Sequence, residues 1–425
     1  MTGAGRHTIV VDLGYGDAGK GTVVDLLCAD GPVGAVIRFN GGAQAAHNVV
    51  APDGRHHTFA QFGSGTLHGV PTHLSRFMVV DPLALAAEAE QLNALGVPDP
   101  FGLLTVDAQA LLSTPWHVAA NRLRELGRGA GRHGSCGMGV GETTAYALCH
   151  PDAPRAGDTL DPARLRHRLA AVRDRLTDEL GELGGPPLDE VVSVFRAFGS
   201  IVSVVDGPST LRRLLETGRC VFEGAQGVLL DEWFGWHPYT TWSTTTFDNA
   251  ETLLAQAGHE ALRLGVVRTY TTRHGAGPLV TEDASLTAAL PERHNGTGRW
   301  QGAFRVGHFD AVAHRYAVEV AGGVDALAVT HLDVPDRVPE LAICPAYTLA
   351  GPSGSTLDRL LPGRRGDLAY QERLTALLGR ARPARLDRPA HWASAIGALL
   401  DAPVLIESYG PSLTDKRVLG GALAA

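Results

Sequence analysis

The hydrophobic pattern of the chain is a series of short apolar runs, each ending in glycine. Residues 8–12, TIVVD, are apolar and β-branched, and glycines 14, 16, 19 and 21 follow at once. The run predicts a buried strand, the glycines a tight turn poor in side chains, and residues 22–27 the start of a helix. AVIRFN (35–40) runs into Gly41 and Gly42, CVF (220–222) into EGAQG, and GVVRTY (265–270) into TTRHGAGP. Two later strands, 325–331 and 405–408, end in Thr330-His331-Leu332-Asp333 and Ser408-Tyr409-Gly410-Pro411. Helical spacing predicts helices over 82–95, 116–126 and around 211–216. Another begins at the Asp161-Pro162 cap, where Leu165, Leu169, Val172 and Leu176 share one face. Residues 127–147 and 291–307 are expected to be long loops, and 181–187 a Gly/Pro linker.

Strands followed by glycine loops and helices predict an α/β fold with a large, mainly parallel central sheet flanked by helices. The architecture expected is P-loop-like and nucleotide-binding, with long active-site loops, and ligands should meet the carboxyl ends of the strands. One large domain is expected to span 1–425, with a helical insertion at about 82–220 and a distinct C-terminal part at about 324–425. No repeat of solenoid or propeller period is present.

Composition narrows the class. A chain of 425 residues, 44% hydrophobic and 19% charged, has enough apolar material for a sizeable core. A net charge of −8 without long Lys/Arg runs argues against nucleic acid as a partner. The cysteines, at 28, 136, 149, 220 and 344, are odd in number and scattered, as in a reduced cytoplasmic protein. No signal peptide or apolar run of membrane-spanning length is seen, so a soluble chain with no membrane partner is expected.

The first glycine loop carries the sharpest chemistry. Its order, Gly14-Tyr15-Gly16-Asp17-Ala18-Gly19-Lys20-Gly21-Thr22, departs from G-x-x-x-x-G-K-[ST]. Backbone N–H groups, a helix N-terminus and Lys20 converge into a phosphate cradle. Asp17 would repel phosphate there unless it holds Mg²⁺ or serves as a base beside the phosphates. The plain alternative is a glycine turn with a solvated aspartate. Downstream, His47 follows the Gly41-Gly42 loop, and Glu223, Gln226 and Asp231 follow the third strand, ahead of the hydroxyl-rich stretch Thr240, Thr241, Ser243 and Thr244. His133, Cys136, Cys149 and His150 raise a zinc site, which the absence of paired C-x-x-C spacing disfavours. Asp333, at a strand end, could accept both N1–H and N2–H₂ of guanine, a pairing adenine cannot satisfy.

Taken in order, G-D-x-G-K-G (16–21), GG-x-x-A-x-H (41–47), FEGAQG-x-LLD (222–231), YTTR-x-GAGP (270–278), T-x-LD (330–333) and S-x-GP (408–411) resemble the adenylosuccinate synthetase family. The likeness runs nearly end to end. It implies GTP-dependent phosphorylation of the 6-oxo group of IMP or a related purine nucleotide, followed by displacement of that phosphate by aspartate. It implies Asp17 as base and Mg²⁺ ligand, His47 and Lys20 as catalytic charges, and the backbone around Gly42 and Ala46 beside the metal. GTP contacts fall to Gly16, Gly19, Lys20, Gly21, Thr22, His331, Asp333, Ser408, Gly410 and Pro411, which makes the C-terminal part the guanine-binding one. Acceptor contacts fall to Gln44, Ser135, Cys136, Gln226 and Thr241, and amino-acid contacts to Thr297, Arg299 and Arg305. A homodimer is also implied.

The departures from that pattern gather at the acceptor and amino-acid sites. Gln44 and Ala46 stand where the family has Asn and Gly. Ser135, Cys136 and Met138 replace a threonine pair and an arginine, and His150 falls where a partner-subunit arginine is expected. The run from Thr297 through Arg299 to Arg305 is longer and less basic, and His331 replaces a lysine. These changes leave open a relative acting on a modified purine or another amine, or an idle GTP-binding protein.

Overall fold

The computed structural model describes residues 6–292, 296–349 and 355–419. Its frame is a ten-stranded sheet: β1 (His7–Asp12), β2 (Val33–Arg38), β3 (Thr72–Leu74), β4 (Leu104–Asp107), β5 (Ser203–Val205), β6 (Arg219–Glu223), β7 (Ala261–Arg268), β8 (Ala326–Thr330), β9 (Val404–Ser408) and β10 (Lys416–Val418). Across the sheet the order is β10-β9-β8-β7-β1-β6-β2-β3-β4-β5. Neighbours run parallel throughout, except the antiparallel edge pair of β9 and β10.

A parallel sheet covered on both faces needs apolar residues in both phases of each central strand. In β1, Ile9 and Val11 enter one buried cluster with Phe39, Phe222 and Phe309. Val10, pointing the other way, joins Val23, Val36, Val221 and Leu264. Helix α1 (Lys20–Ala29) contributes Val23, Val24 and Leu27 to that second layer. A further cluster is built by α2 (Pro82–Ala94), α3 (Pro115–Gly127), α4 (Val140–Cys149), α5 (Pro162–Leu180) and α6 (Leu188–Ile201). Asp161 caps α5 by accepting from the amides of Ala163 and Arg164, and Leu165, Leu169, Val172 and Leu176 are buried as their spacing requires.

Four sequence expectations change. The segment 82–220 is not helical alone, since it supplies β4 and β5, the outermost strands on its side of the sheet. The glycine-dense stretch 127–147 is a loop only in its first half: from Val140 it is α4, because glycine thins out and Thr143, Ala145 and Tyr146 carry the turns. The loop expected over 291–307 ends early, in the strand Phe304–Asp310 (residues 293–295 lie outside the described ones). That strand pairs antiparallel with Tyr270–His274, and both belong to a small sheet separate from the central one. β7 therefore stops at Arg268 rather than running on to Tyr270.

The ends of β1, β2, β6, β7, β8 and β9 place Asp12, Arg38, Glu223, Arg268, Thr330 and Ser408 along one edge of the sheet. No helix among the described residues is long and apolar enough to cross a membrane.

Burial pushes the imidazole of His73, on β3, down to about 4 and that of His117, in the capping box opening α3, down to about 3. The unfolded chain takes up these protons near pH 6.5 and the folded chain does not, so stability falls as pH drops from 6.5 toward 4. The loss should be on the order of 1–2 kcal/mol per histidine at pH 5. Urea unfolding between pH 7 and pH 5 should show it, and His73→Gln should flatten the slope; an unchanged slope would refute the assignment.

Candidate active site

The glycine loop is folded around the last side chain of β1. Asp12 Oδ1 accepts from the amides of Gly14 (2.7 Å) and Gly16 (3.2 Å), and Oδ2 accepts from that of Ala18 (2.7 Å). Lys20 Nζ donates to the same Oδ2 at 3.3 Å and to the Gly16 carbonyl at 2.7 Å, and is almost fully buried. With its amides drawn to one carboxylate, the loop must turn sharply, and Gly16 and Gly19 do so at φ 112° and 96°. Gly19 opens α1 without a side-chain cap, which leaves that helix's first N–H groups free for an anion.

Asp17 projects from this loop into a cavity of about 680 Å³. Its carboxylate makes no hydrogen bond to another described residue; His274 Nε2 lies 3.9 Å from Oδ2. Burial raises its pKa, against the pull of His274, Arg268 and Lys20. His47 faces the same cavity, and its orientation is fixed from behind. Its Nδ1 lies 2.7 Å from Glu223 Oε1, and Glu223 also accepts from the amide and hydroxyl of Ser64. His47 and Arg38 hold Glu223 down to about 2, so it is a carboxylate, while burial lowers His47 to about 4. The neutral imidazole therefore keeps its proton on Nδ1, toward Glu223, and Nε2 carries the free lone pair.

Two backbone devices hold these loops together. Asn40 Nδ2 donates to the Ala225 carbonyl (2.9 Å), and the Ala225 amide donates back to Asn40 Oδ1 (2.7 Å). Gly21 lies so close to His47 that a Cβ there would come within 2.7 Å of the histidine Cβ.

Of the residues singled out in the sequence, Gly16, Asp17, Gln44, Ala46, His47, Ser135, Cys136, Gln226, Thr241 and Thr297 line the cavity. Both amide atoms of Gln44, and Oε1 of Gln226, are buried without a partner, so they are groups a ligand would satisfy. Arg124 and Arg128, also on the wall, are each already paired, Arg124 with Glu142 and Glu179 and Arg128 with Glu125.

The positions expected to read guanine form a separate corner at the ends of β8 and β9. Leu332 donates its amide to the Ser408 carbonyl (3.0 Å), the Ser408 hydroxyl reaches the Gly410 carbonyl (3.1 Å), and Thr22 on α1 donates to the Pro411 carbonyl (2.9 Å). Asp333 is paired with Arg337 at 2.6 Å. This corner meets the phosphate loop at α1 and is not part of the cavity wall.

The positions expected to bind the amino acid divide. Thr297 reaches the wall, whereas Arg299 lies over the Trp300 ring (5.1 Å). Arg305, on the strand Phe304–Asp310, is also off the wall: it donates to the carbonyls of Gly275 and Gly277 and pairs with Glu282. The same strand register places Arg305 opposite Arg273. Trp300 itself packs on Gly137, with Arg122 on its ring, so the amino-acid loop and the 134–139 loop touch. His133, Cys136, Cys149 and His150 do not gather, and among the described residues no three metal-ligating side chains do. Sequence reading missed Asp12, the partner role of Glu223, and His274; each ends a strand, and only folding shows the glycine loop turned back onto Asp12, Glu223 against His47 and His274 near Asp17.

Comparison with known proteins agrees with this geometry. The family model described as adenylosuccinate synthetase matches residues 9–375. Adenylosuccinate synthetase of Neisseria gonorrhoeae is 33% identical, over 97% of this chain and 98% of its own. Among solved structures, fully ligated adenylosuccinate synthetase from Plasmodium falciparum superposes with a TM-score of 0.85 at 21% identity, covering 98% of this chain and 100% of that one. Succinoaminodeoxyadenylate synthetase of cyanophage S-2L, bound to dGMP and to dATP as energy donor, superposes at 0.61 with 20% identity, covering 99% and 97%. With the glycine loop, the Asp17 and His47 cavity and the strand-end motifs in place, the chain belongs to the adenylosuccinate synthetase family of GTP-dependent C–N ligases.

Proposed function

We propose that this enzyme joins aspartate to C6 of IMP at the expense of GTP, giving adenylosuccinate, GDP and phosphate. The observation that carries the reading is Asp17: a carboxylate that makes no hydrogen bond to another described residue, raised in pKa by burial, set on the glycine loop at the start of α1 and facing the same cavity as His47. O6 of a neutral oxopurine is a poor nucleophile, and as it stands a very poor leaving group. Removal of the N1 proton by Asp17 places negative charge on O6, which attacks the γ-phosphorus of GTP while GDP departs. The nitrogen lone pair of aspartate then attacks C6, the phosphate leaves with the C6–O6 bonding electrons, and a proton is lost from the amine.

Asp17, with the main chain at Ala46, would hold Mg²⁺: a free hard-oxygen carboxylate beside the glycine loop suits that ion. When bound, the ion neutralises phosphate charge during transfer. Lys20, beneath the loop, and the uncapped N–H groups at the start of α1 would hold the transferring phosphate, and His47, once protonated on Nε2 with Glu223 as the partner of Nδ1, would meet negative charge developing on the O6 side. Gln226 and Gln44 offer unsatisfied amides to the base and its ribose phosphate, beside Ser135, Cys136 and Thr241. Asp333, Ser408 and Gly410 would read guanine, with Asp333 exchanging Arg337 for the base. Thr297 and Arg299 would receive aspartate. Arg305 could join them only by leaving the Gly275 and Gly277 carbonyls. Association as a homodimer, bringing His150 of a second copy to the acceptor, belongs to the same proposal.

Incubation with GTP, Mg²⁺, aspartate and IMP should yield an aspartyl adduct of IMP by mass spectrometry. Inosine, dGMP and GMP serve as alternative acceptors, and ATP as an alternative donor. GTP binding with no adduct from any acceptor would reject the ligase reading. Asp17→Asn should lower kcat by about 10²–10⁴-fold while GTP still binds; retained turnover would remove its assigned role. Glu223→Gln should lower kcat by about 10–100-fold with little change in KM, because His47 loses the partner that fixes its tautomer. Equal kcat in the two proteins would show that the pairing is structural only.

A further inference from the structure

Where β7 ends, a single buried guanidinium touches three parts of the site that are far apart in sequence. Arg268 Nη1 donates to the main-chain carbonyl of Asp17 at 3.0 Å and to the Thr272 hydroxyl at 3.3 Å. Its Nη2 donates to Glu292 Oε1 at 2.6 Å, to His331 Nε2 at 2.9 Å and to the Tyr270 hydroxyl. The Tyr270 ring lies 4.1 Å from the guanidinium carbon. Asp17 belongs to the phosphate loop, Glu292 stands at the start of the segment leading to Thr297, and His331 adjoins the guanine-reading Leu332-Asp333.

The protons in this network can be placed. The Thr330 hydroxyl donates to the Ala18 carbonyl (2.7 Å), so toward His331 Nδ1, 2.9 Å away, it accepts. His331 therefore carries its proton on Nδ1 and offers Nε2 to Arg268. Burial and the nearby cations Arg268, Arg337 and Lys416 keep that imidazole neutral. Two successive carbonyls of the phosphate loop, those of Asp17 and Ala18, are thus held by Arg268 and Thr330, and both of these side chains hold His331. The backbone at His331 is left-handed, φ 58°, and Thr269 clamps its carbonyl at 2.8 Å. A shift of Asp333 onto a base would pull on this bend, and through it on the carbonyl of Asp17. Glu292 is the carboxylate facing Arg268, so displacing its loop would leave a buried charge without its counter-ion.

We propose that Arg268 is a positioning residue that couples guanine occupancy, the placement of Asp17 and the seating of the amino-acid loop. The proposal rests on the functional reading above for the names of the ligands. The planar fork is essential to it, because donors on two different nitrogens reach the Asp17 carbonyl on one side and Glu292 with His331 on the other. A lysine ammonium at this depth has one nitrogen and cannot span both.

The test is a comparison of the wild type with Arg268→Lys, which keeps the charge and loses the fork, and with Glu292→Gln, which keeps the fork and loses its counter-ion. With IMP present, the Kd of a non-hydrolysable GTP analogue is measured by calorimetry without and with saturating aspartate, and kcat and KM are measured for both substrates. The wild type should bind the analogue about 5–50-fold more tightly when aspartate is present. Arg268→Lys should bring that factor to near unity and lower kcat. Glu292→Gln should also abolish the coupling and raise KM for aspartate, while leaving analogue affinity without aspartate unchanged. Coupling retained in Glu292→Gln, or absent from a wild type that forms the aspartyl adduct, overturns the proposal; should Arg268→Lys fail to fold, Glu292→Gln decides alone. A wild type that forms no adduct rejects the functional reading instead, so the two failures are distinguishable.

Discussion

One buried carboxylate, Asp12, determines the shape of the phosphate loop. Three amides and the Lys20 ammonium converge on it beneath the loop. A carboxylate taken out of water is tolerated when its lone pairs are filled by donors of this kind, and removing either side of the arrangement leaves an orphaned charge. The loop's outward surface follows from that. With the inward amides engaged, Asp17 is turned to the cavity, and the uncapped start of α1 is left facing whatever anion arrives. Lys20 is drawn under the loop rather than into the open, so its charge would reach a bound anion only from behind the backbone.

A second buried acid repeats the logic at the neighbouring strand. Glu223 is satisfied by Ser64 and His47, and the reciprocal hydrogen bonds of Asn40 and Ala225 tie the loop after β2 to the loop after β6. The side chains that would carry phosphoryl transfer are thereby referred to the sheet itself, the most rigid part of the molecule. Gly21 allows the close approach of α1 to His47 that completes the set.

Much of this was legible in the sequence, for a physical reason. Parallel strands buried on both faces need uninterrupted apolar runs, and runs such as TIVVD and CVF followed by glycine have few other readings. The same regularity explains the errors. Residues 140–149 were hidden by the glycines before them, and the strand Phe304–Asp310 by the polar loop that leads into it. Asp12 and Glu223 look like ordinary strand-end acids until the glycine loop folds its own amides back onto the first and the tertiary fold brings Ser64 and His47 onto the second. Arg305 shows the converse. An arginine in the right motif was expected to face a dicarboxylate, but the pairing of its strand with Tyr270–His274 gives it backbone carbonyls to bind instead.

The Trp300 contact with Gly137 has a further meaning. Part of the wall that would choose acceptor and amine comes from α3, α4 and the segment around Trp300, and these pieces rest on one another through an aromatic ring and two arginines. At one point this wall does reach the phosphoryl-transfer side: Glu292, ahead of Thr297 in the chain, is bonded to Arg268, which holds the carbonyl of Asp17. The unusual residues of this chain are therefore spread over both neighbourhoods: Ser135 and Cys136 lie on these walls, whereas Gln44 and Ala46 adjoin His47 on the loop after β2 and His331 sits against Arg268, so an altered choice of partner would be felt where the phosphate is handled.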